Sequence, residues 1–227
     1  MRTLAIDIGG TGIKGIILGA DGAPVTERYR EPTPAPATPQ AVLDVIDRMV
    51  KANGDFDRVS IGFPGVVPDG VVRTAPHLDR TWRGFPIAER VSEHLGKPVR
   101  VVNDAVIHGL GVVEGKGVEM VITLGTGLGC CVCTDGKPIH LELAHHPYRK
   151  GKTYEDLVGV TARKAVGNER WNRRIRRAIT QMDALVNYRR LYIGGGNAKH
   201  IDTEGLPENV TIVDNIAGLL GGIRLWS

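Results

Sequence analysis

Cysteine is scarce in this chain of 227 residues: Cys130, Cys131 and Cys133 are the only three, crowded into one apolar run after Gly129. That leaves a redox or metal site little to work with. The run reads as a buried strand with Cys131 and Cys133 on one face and Cys130 on the other. Cys130 and Cys133 do have the CxxC spacing, but a thioredoxin-like site needs a helix N-terminus at that point. Long apolar runs are missing too. Nothing approaches the roughly 20 uninterrupted apolar residues of a membrane span, and Met1 to Asp7 is already a strand, without the apolar region of a signal peptide. A cytoplasmic protein with no membrane partner is expected. Charge of one sign is also in short supply: 29 Lys and Arg stand against 25 Asp and Glu, a net charge of +4. Binding to nucleic acid would need a local patch, and no nucleic-acid partner is expected. Neither major nucleotide fingerprint is present. Gly9-Gly10-Thr11-Gly12-Ile13-Lys14 is not a GxxxxGK[ST] loop, and Gly125 to Gly129 is not followed by the helix of a dinucleotide site.

Glycine is plentiful, with thirty in the chain, and it clusters at three strand ends. Leu4-Ala5-Ile6 runs into Gly9 to Gly12 and Met120 to Leu124 into Gly125 to Gly129. Leu191 to Ile193 likewise leads to Gly194, Gly195 and Gly196. Without a Cβ, successive backbone N–H groups can approach an anion, so repeated loops of this kind suit phosphate. Asp7 beside the first loop would repel phosphate directly but would hold a Mg²⁺ bound to it; the competing reading is a turn-capping carboxylate. Thr11 and Thr126 add hydroxyl donors.

Around these loops the pattern predicts strands at 4–6, 12–18 and 25–30, a four-proline connection from Glu31 to Pro39, and a helix over 41–50. A strand at 59–63, a helix at 86–95, a strand at 99–102 and a helix at 105–112 follow. Strands then resume at 120–124 and 130–134, with a turn at Asp135 to Pro138. Trp171, Ile175, Ala178, Ile179, Met182, Leu185 and Val186 line one face of a helix over 171–188. A strand at 210–213 and a helix at 215–226 complete the set. Two lobes opening with related strand, glycine loop and strand units suggest an internal duplication. The expected domains are an N-terminal α/β lobe over 1–105 and a C-terminal α/β lobe over 106–227, the last helix packing back on the first lobe or on a partner. From Arg163 to Arg190 nine basic residues face two acidic ones, the most lopsided charge in the chain.

Asp104 closes the strand at 99–102 behind Asn103, a position where a carboxylate can be held rigidly as a general base; an ordinary helix cap is the plainer reading. Glu142 and His145 stand three apart, neighbours if their segment is helical, and can exchange hydrogen bonds with hydroxyl groups. His140 and His146 carry no assignment.

Asp7 to Lys14, Gly62-Phe63-Pro64-Gly65, Asn103-Asp104, Leu124 to Gly129, Glu142-Leu143-Ala144-His145 and Ile193 to Gly196 together resemble the ordered signature of the ROK sugar kinases. Within that family the chain is most similar to the polyphosphate glucokinase branch, over essentially its whole length. The resemblance implies the actin-like or hexokinase-like (ribonuclease H-like) fold, two α/β lobes with sugar and phosphoryl donor in the cleft. It implies a kinase with Asp104 as catalytic base, Mg²⁺, and ATP or polyphosphate as donor to a hexose, with the 6-hydroxyl of glucose as the expected acceptor. Asn103, Glu142 and His145 correspond to sugar contacts, and Gly65 to the loop behind the sugar. Gly9, Gly10, Thr11, Gly12 and Lys14 correspond to the first phosphate loop and Gly125, Thr126 and Gly127 to the second. Gly194, Gly195 and Gly196 correspond to the family's loop near a nucleotide, and Asp7 matches the acid near the metal. His77 stands where the family carries an asparagine. The family's cysteine cluster after the Glu-x-x-His segment is missing between Tyr148 and Val158, so no structural zinc is expected and His145 is free for the sugar. Glu155 is available for a sugar-binding glutamate without a motif to align it. Another hexose or N-acylhexosamine kinase, and a non-catalytic sugar-binding regulator, are the alternatives. A homodimer is expected, and Arg173, Arg174, Arg176 and Arg177 are candidates for a polyphosphate path, against the plainer reading of a solvated helix face.

Overall fold

A computed structural model describes residues 1–125, 127–213 and 217–226. Thr3–Ile8 (β1) is buried along its whole length, as a strand with neighbours on both sides and cover on both faces must be. It pairs antiparallel with Ile13–Leu18 (β2), which pairs with Tyr29–Glu31 (β3). The third strand is shorter and later than the 25–30 expected. The hydroxyl of Thr26 accepts the Ile17 N–H at 3.1 Å, taking a donor the ladder would use, and Pro24 has none to give. Only an isolated bridge between Leu18 and Pro24 remains there.

Thr38 caps the helix Pro39–Asn53 (α1), its hydroxyl accepting the Ala41 N–H, with proline at the first helical position. Val42, Val45, Ile46 and Met49 form its buried face. A Cβ on Gly15 would lie 2.1 Å from Met49 Sδ, so that glycine is what lets α1 lie directly on β2. Arg58–Phe63 (β4) returns parallel to β1. After the helix Ile87–Leu95 (α2), Val99–Asn103 (β5) adds parallel to β4. The sheet order is β3-β2-β1-β4-β5. Helix Asp104–Val112 (α3) follows at once.

Val118–Leu124 (β6), Leu128–Thr134 (β7) and Lys137–His140 (β8) form an antiparallel meander. The predicted turn therefore narrows to Asp135 and Gly136. Pro147–Arg149 (β9) and Lys152–Thr153 (β10) make a small ribbon before Tyr154–Val158 (α4). Val160–Val186 (α5) begins eleven residues before Trp171 and is interrupted at Gly167, whose φ of 75° is not helical. Its apolar face is the predicted one from Trp171 to Met182, but Leu185, read onto the same face, is exposed. Arg190–Gly194 (β11) and Val210–Ile212 (β12) complete a second sheet, β12-β11-β6-β7-β8. Read from the other edge, this is the order of the first sheet, strand for strand, with an antiparallel meander on one side and parallel strands on the other.

Contacts divide the chain into two units, Met1–Gly111 with the segment from Gly218 onward, and Val112–Ala217. The division falls at the end of α3, not at the 105/106 boundary read from the sequence. Ala105, Val106, Ile107 and Leu110 are buried, and Ile107 Cγ2 lies where a Cβ on Gly62 would be 2.9 Å away, so the helix is part of the first unit's core.

The long C-terminal helix expected from 215 is not formed. Asn215 and Ile216 lie outside the described residues. Ala217–Leu220 (α6) is a single turn, and Gly221–Trp226 continues as a 3₁₀ helix. A Cβ on Gly221 would fall 1.9 Å from Ile107 O and one on Gly222 2.8 Å from Ala5 Cβ. That closeness shapes the segment. Leu219 and Ile223 pack with Ala5, Ile16 and Leu18, within the first unit.

Candidate active site

In the first unit the β1–β2 register sets Asp7 opposite Lys14 on one side and Gly62 on the other. Asp7 is 6% exposed, and its Oδ2 pairs with Lys14 Nζ at 2.9 Å. The turn between the strands closes on itself, the Gly9 N–H donating to Gly12 O at 3.0 Å. That N–H is therefore spent inside the loop, and an anion would meet the later ones. The Thr33 hydroxyl donates to Gly9 O, and the Thr33 N–H reaches Thr11 O at 3.5 Å. His77 sits against this loop: a Cβ on Gly10 would be 3.1 Å from His77 Cβ.

Asn103 and Asp104 occupy the junction of β5 and α3. Asn103 Nδ2 donates to Gly65 O at 3.0 Å, so two predicted sugar-site residues are tied directly together. Gly65 has no alternative as a residue, since a Cβ there would fall 1.9 Å from Thr74 O. The Ala105 N–H is shared between Asn103 Oδ1 at 2.9 Å and Asp104 Oδ1 at 2.8 Å. A helix cap takes the N–H two or three residues ahead. Here Asn103 does so, and Asp104 takes the N–H of its neighbour and its own, neither of which is a capping bond. Burial, and after it the charge of Asp7, push the Asp104 carboxyl up to about 7. The Ala105 N–H, its own N–H and Lys14 pull the other way.

One helical turn on, His108 faces the same charges. Burial holds its imidazole below the ordinary value, Asp7 opposing and Lys14 assisting. The sequence reading passed over His108; its i+4 spacing from Asp104 was the available signal.

The second unit repeats the hairpin. Leu124 and Leu128 close it, and the Gly125 N–H donates to Gly127 O at 3.0 Å. Thr126 lies outside the described residues. Asn197 clasps this loop to the end of β11: its Nδ2 donates to Gly125 O and its N–H to Leu124 O, both at 2.8 Å. Gly195, with φ of 92°, allows the approach, because a Cβ would lie 2.5 Å from Leu124 O. A Cβ on Gly194 would be 3.3 Å from Val213 Cγ2, while Gly125 and Gly196 face open space. Among the described residues no packing contact demands glycine at those last two positions.

Glu142 and His145 are exposed on a turn, not a helix. The Glu142 Oε1 accepts the Ala144 N–H at 2.9 Å, and the His146 N–H closes the turn on Leu143 O. Glu155 joins this turn to the hairpin. Its N–H donates to Ala144 O and its Oε2 accepts the Leu128 N–H, both at 3.0 Å. The three cysteines are buried and form no disulfide, and burial with the charge of Glu142 pushes the Cys130 thiol up to about 12. A thiol so placed stays protonated and unreactive.

Residues 3–142 match the ROK family, more than half of the chain. The chain belongs to the ROK family. Among similar ROK proteins, the polyphosphate glucokinase of Mycobacterium tuberculosis (strain CDC 1551 / Oshkosh) is 32% identical over 235 residues, covering 95% of this chain and 88% of that protein. The crystal structure of an inorganic polyphosphate/ATP-glucomannokinase from Arthrobacter sp. strain KM superposes with a TM-score of 0.88 at 32% identity, covering 100% of this chain and 99% of the other. A ROK family glucokinase from Streptomyces griseus, in complex with glucose and AMPPNP, gives a TM-score of 0.80 at 21% identity over 99% of both chains and shows the shared fold. With these likenesses and two mixed α/β sheets, the fold is the actin-like or hexokinase-like one.

Of the four arginines singled out in this ROK chain, three have protein partners. Arg173 pairs with Glu169 and Arg176 with Asp202, and Arg174 Nη1 donates to Leu157 O at 3.2 Å. Among the described residues no group of three or more His, Cys, Asp or Glu side chains is arranged to hold a metal. A single carboxylate such as Asp7 suits a magnesium ion that arrives on phosphate and keeps its waters, and not one caged by protein. No helix among the described residues is long and apolar enough to cross a membrane.

Proposed function

We propose that the chain transfers a phosphoryl group from polyphosphate or ATP to the 6-hydroxyl of glucose, with Asp104 as the general base. It is a phosphotransferase of the hexokinase and glucokinase class, and the names of its relatives support a hexose as acceptor and polyphosphate or ATP as donor. The observation that carries the assignment of the base is the junction at Asp104. A carboxylate there is freed from the helix cap by Asn103, stands beside Asp7 and Lys14, and has its proton affinity raised to about 7. A base is most effective when its pKa lies near the working pH.

In this reading Asn103, tied to Gly65, contacts the sugar hydroxyls, and His77, Glu142, His145 and Glu155 are the further candidate sugar contacts. The sugar hydroxyl donates its proton to Asp104 as its oxygen bonds to the terminal phosphorus. The bond from that phosphorus to the leaving phosphate oxygen breaks as the new one forms. Lys14 and the N–H groups of Gly10 to Gly12 bind phosphate oxygens, as does the N–H of Gly127, that of Gly125 being spent on Gly127 O. The open space at Gly125 and Gly196 leaves room for the donor. Asp7 would hold a Mg²⁺ carried by the donor, which when bound neutralises charge growing on the phosphoryl oxygens.

Rates with glucose, mannose and N-acetylmannosamine, each with ATP and with polyphosphate, test the substrate assignment. Asp104→Asn tests the base. Its kcat should fall by about 10²–10⁴-fold while glucose binding by calorimetry stays within a few-fold. An Asn variant turning over at a near-normal rate would remove Asp104 from this role.

A further inference from the structure

The second unit carries a groove that the proposed reaction has not used. It is about 630 Å³ in volume, between the outer side of α5 and the loop after β11, and Asn168, Arg173, Arg176, Lys199 and His200 are among its lining residues. Its floor is built: buried Asn172 donates to His200 O at 3.0 Å and accepts the Asp202 N–H at 2.9 Å.

A short chain of hydrogen bonds runs from the glycine loop to this groove. Gly125 O accepts from Asn197 Nδ2 at 2.8 Å, Asn197 Oδ1 accepts from Arg163 Nε at 3.1 Å, and Arg163 Nη1 donates to Asn168 Oδ1 at 3.1 Å. Asn168 lines the groove. Arg163 is the notable member. It is half-buried, held by two amide oxygens, and no carboxylate pairs with it among the described residues. A guanidinium kept in place without being neutralised offers its remaining N–H donors to an anion.

The geometry points to a track for the tail of a linear polyphosphate, running from the Gly125 loop past Arg163 into the groove of Arg173, Arg176, Lys199 and His200. This rests on the proposed reading that the donor's reacting phosphate sits at the Gly125 loop. Two carboxylates, Glu169 and Asp202, line the groove as well, paired with Arg173 and Arg176. Both pairs are solvent-exposed, and exposed pairs are weak enough for the arginines to turn to a phosphate chain. The net field remains positive: besides burial, Arg163 and Lys199 hold the His200 imidazole below its ordinary value. Of the four arginines read from the sequence the track takes two. Arg174 is committed to Leu157 O, and neither it nor Arg177 lines the groove. Lys199, His200 and Arg163 are supplied by the fold.

Initial rates of glucose phosphorylation with tripolyphosphate and with long-chain polyphosphate give the preference for chain length, the ratio of the two KM values. The Arg173→Ala, Lys199→Ala double variant should lose that preference by roughly tenfold, and the charge-preserving Arg173→Lys, Lys199→Arg pair should keep it. A preference retained by the alanine pair, or lost equally in the charge-preserving pair, overturns the track. Calorimetric binding of long-chain polyphosphate needs no turnover and separates the two proposals. Binding that weakens in the alanine pair, in a protein phosphorylating glucose with no donor, keeps the track and removes the kinase reading. ATP-driven turnover in a protein that does not bind polyphosphate does the reverse. Tighter binding of single-stranded RNA than of polyphosphate of equal charge also overturns it.

Discussion

Asp104 shows how a single side chain can be set against the stability of its own fold. An aspartate whose folded pKa is about 7, from an ordinary 3.8, holds its proton more tightly in the folded chain than in the unfolded one. Its contribution to stability is therefore fully present below the unfolded value and lost as pH rises through about 7. At higher pH the ionised carboxylate stands desolvated beside Asp7 and works against folding. Asp104→Asn removes that charge and keeps the shape. The variant should melt above the parent at pH 8, by an amount on the order of a few kcal/mol at most, and the difference should shrink toward pH 4. A parent protein that is the more stable of the two at pH 8 would contradict the desolvated placement. If Asp104 is the base, as proposed, the same titration predicts the activity profile: a base acts ionised, so kcat should decline as pH falls below about 7.

The two hairpins are equivalent element by element, and their register shows which residues correspond. Asp7 on β1 lies opposite Gly62 of β4, and Thr123 on β6 lies opposite Gly194 of β11. One copy thus bears an acid and its lysine where the other has Thr123 across from Gly129, so only the first hairpin brings charge to its glycine loop. The second copy has its own carboxylate lower on the strand. Glu119, fully buried, accepts the N–H groups of Glu114, Gly115 and Lys116 at 2.7–3.0 Å and the Tyr192 hydroxyl at 3.0 Å. Burial pushes its carboxyl up, but these donors outweigh it and hold it below the usual range. Glu119→Gln should cost about 1–3 kcal/mol at pH 7 by urea unfolding. Because the folded pKa is depressed, that stability is present above the unfolded value and lost as pH falls below it, so the two proteins should converge under acid. Periodicity made most such elements legible in advance: the meanders, α1, the apolar face of α5 and the glycine loops. What escaped it depended on distant partners. β3 was placed early because the reach of Thr26 to Ile17 has no signature in spacing, and the helix from 215 was drawn long because the contacts of Gly221 and Gly222 come from Ile107 and Ala5. The sequence offers both Asn103 and Asp104, but which of them caps α3 depends on an N–H that only the fold assigns.

At the scale of the whole molecule, the chain leaves its first unit at Gly111 and returns to it at Gly218. The return is anchored by polar and apolar contacts together. Trp226 Nε1 donates to Ser60 Oγ at 2.8 Å, Ser60 Oγ donates to Gly222 O at 2.7 Å, and the Trp226 ring lies beneath the guanidinium groups of Arg58 and Arg100, 4.9 and 4.4 Å from its centroid. Gly221→Ala should disturb this seat through the clash at Ile107 O, costing about 1–3 kcal/mol. Limited trypsin digestion should then cut at Arg224 faster than in the parent. Equal digestion rates would mean the segment is not held by that contact. The return also bears on the order in which the protein is made. Ala5, Ile16 and Leu18 leave the ribosome early, but Leu219 and Ile223, which cover them, follow only after the entire second unit. Throughout that interval the nascent chain carries an uncovered apolar strip, and the first unit completes its packing only when the last residues of the chain arrive.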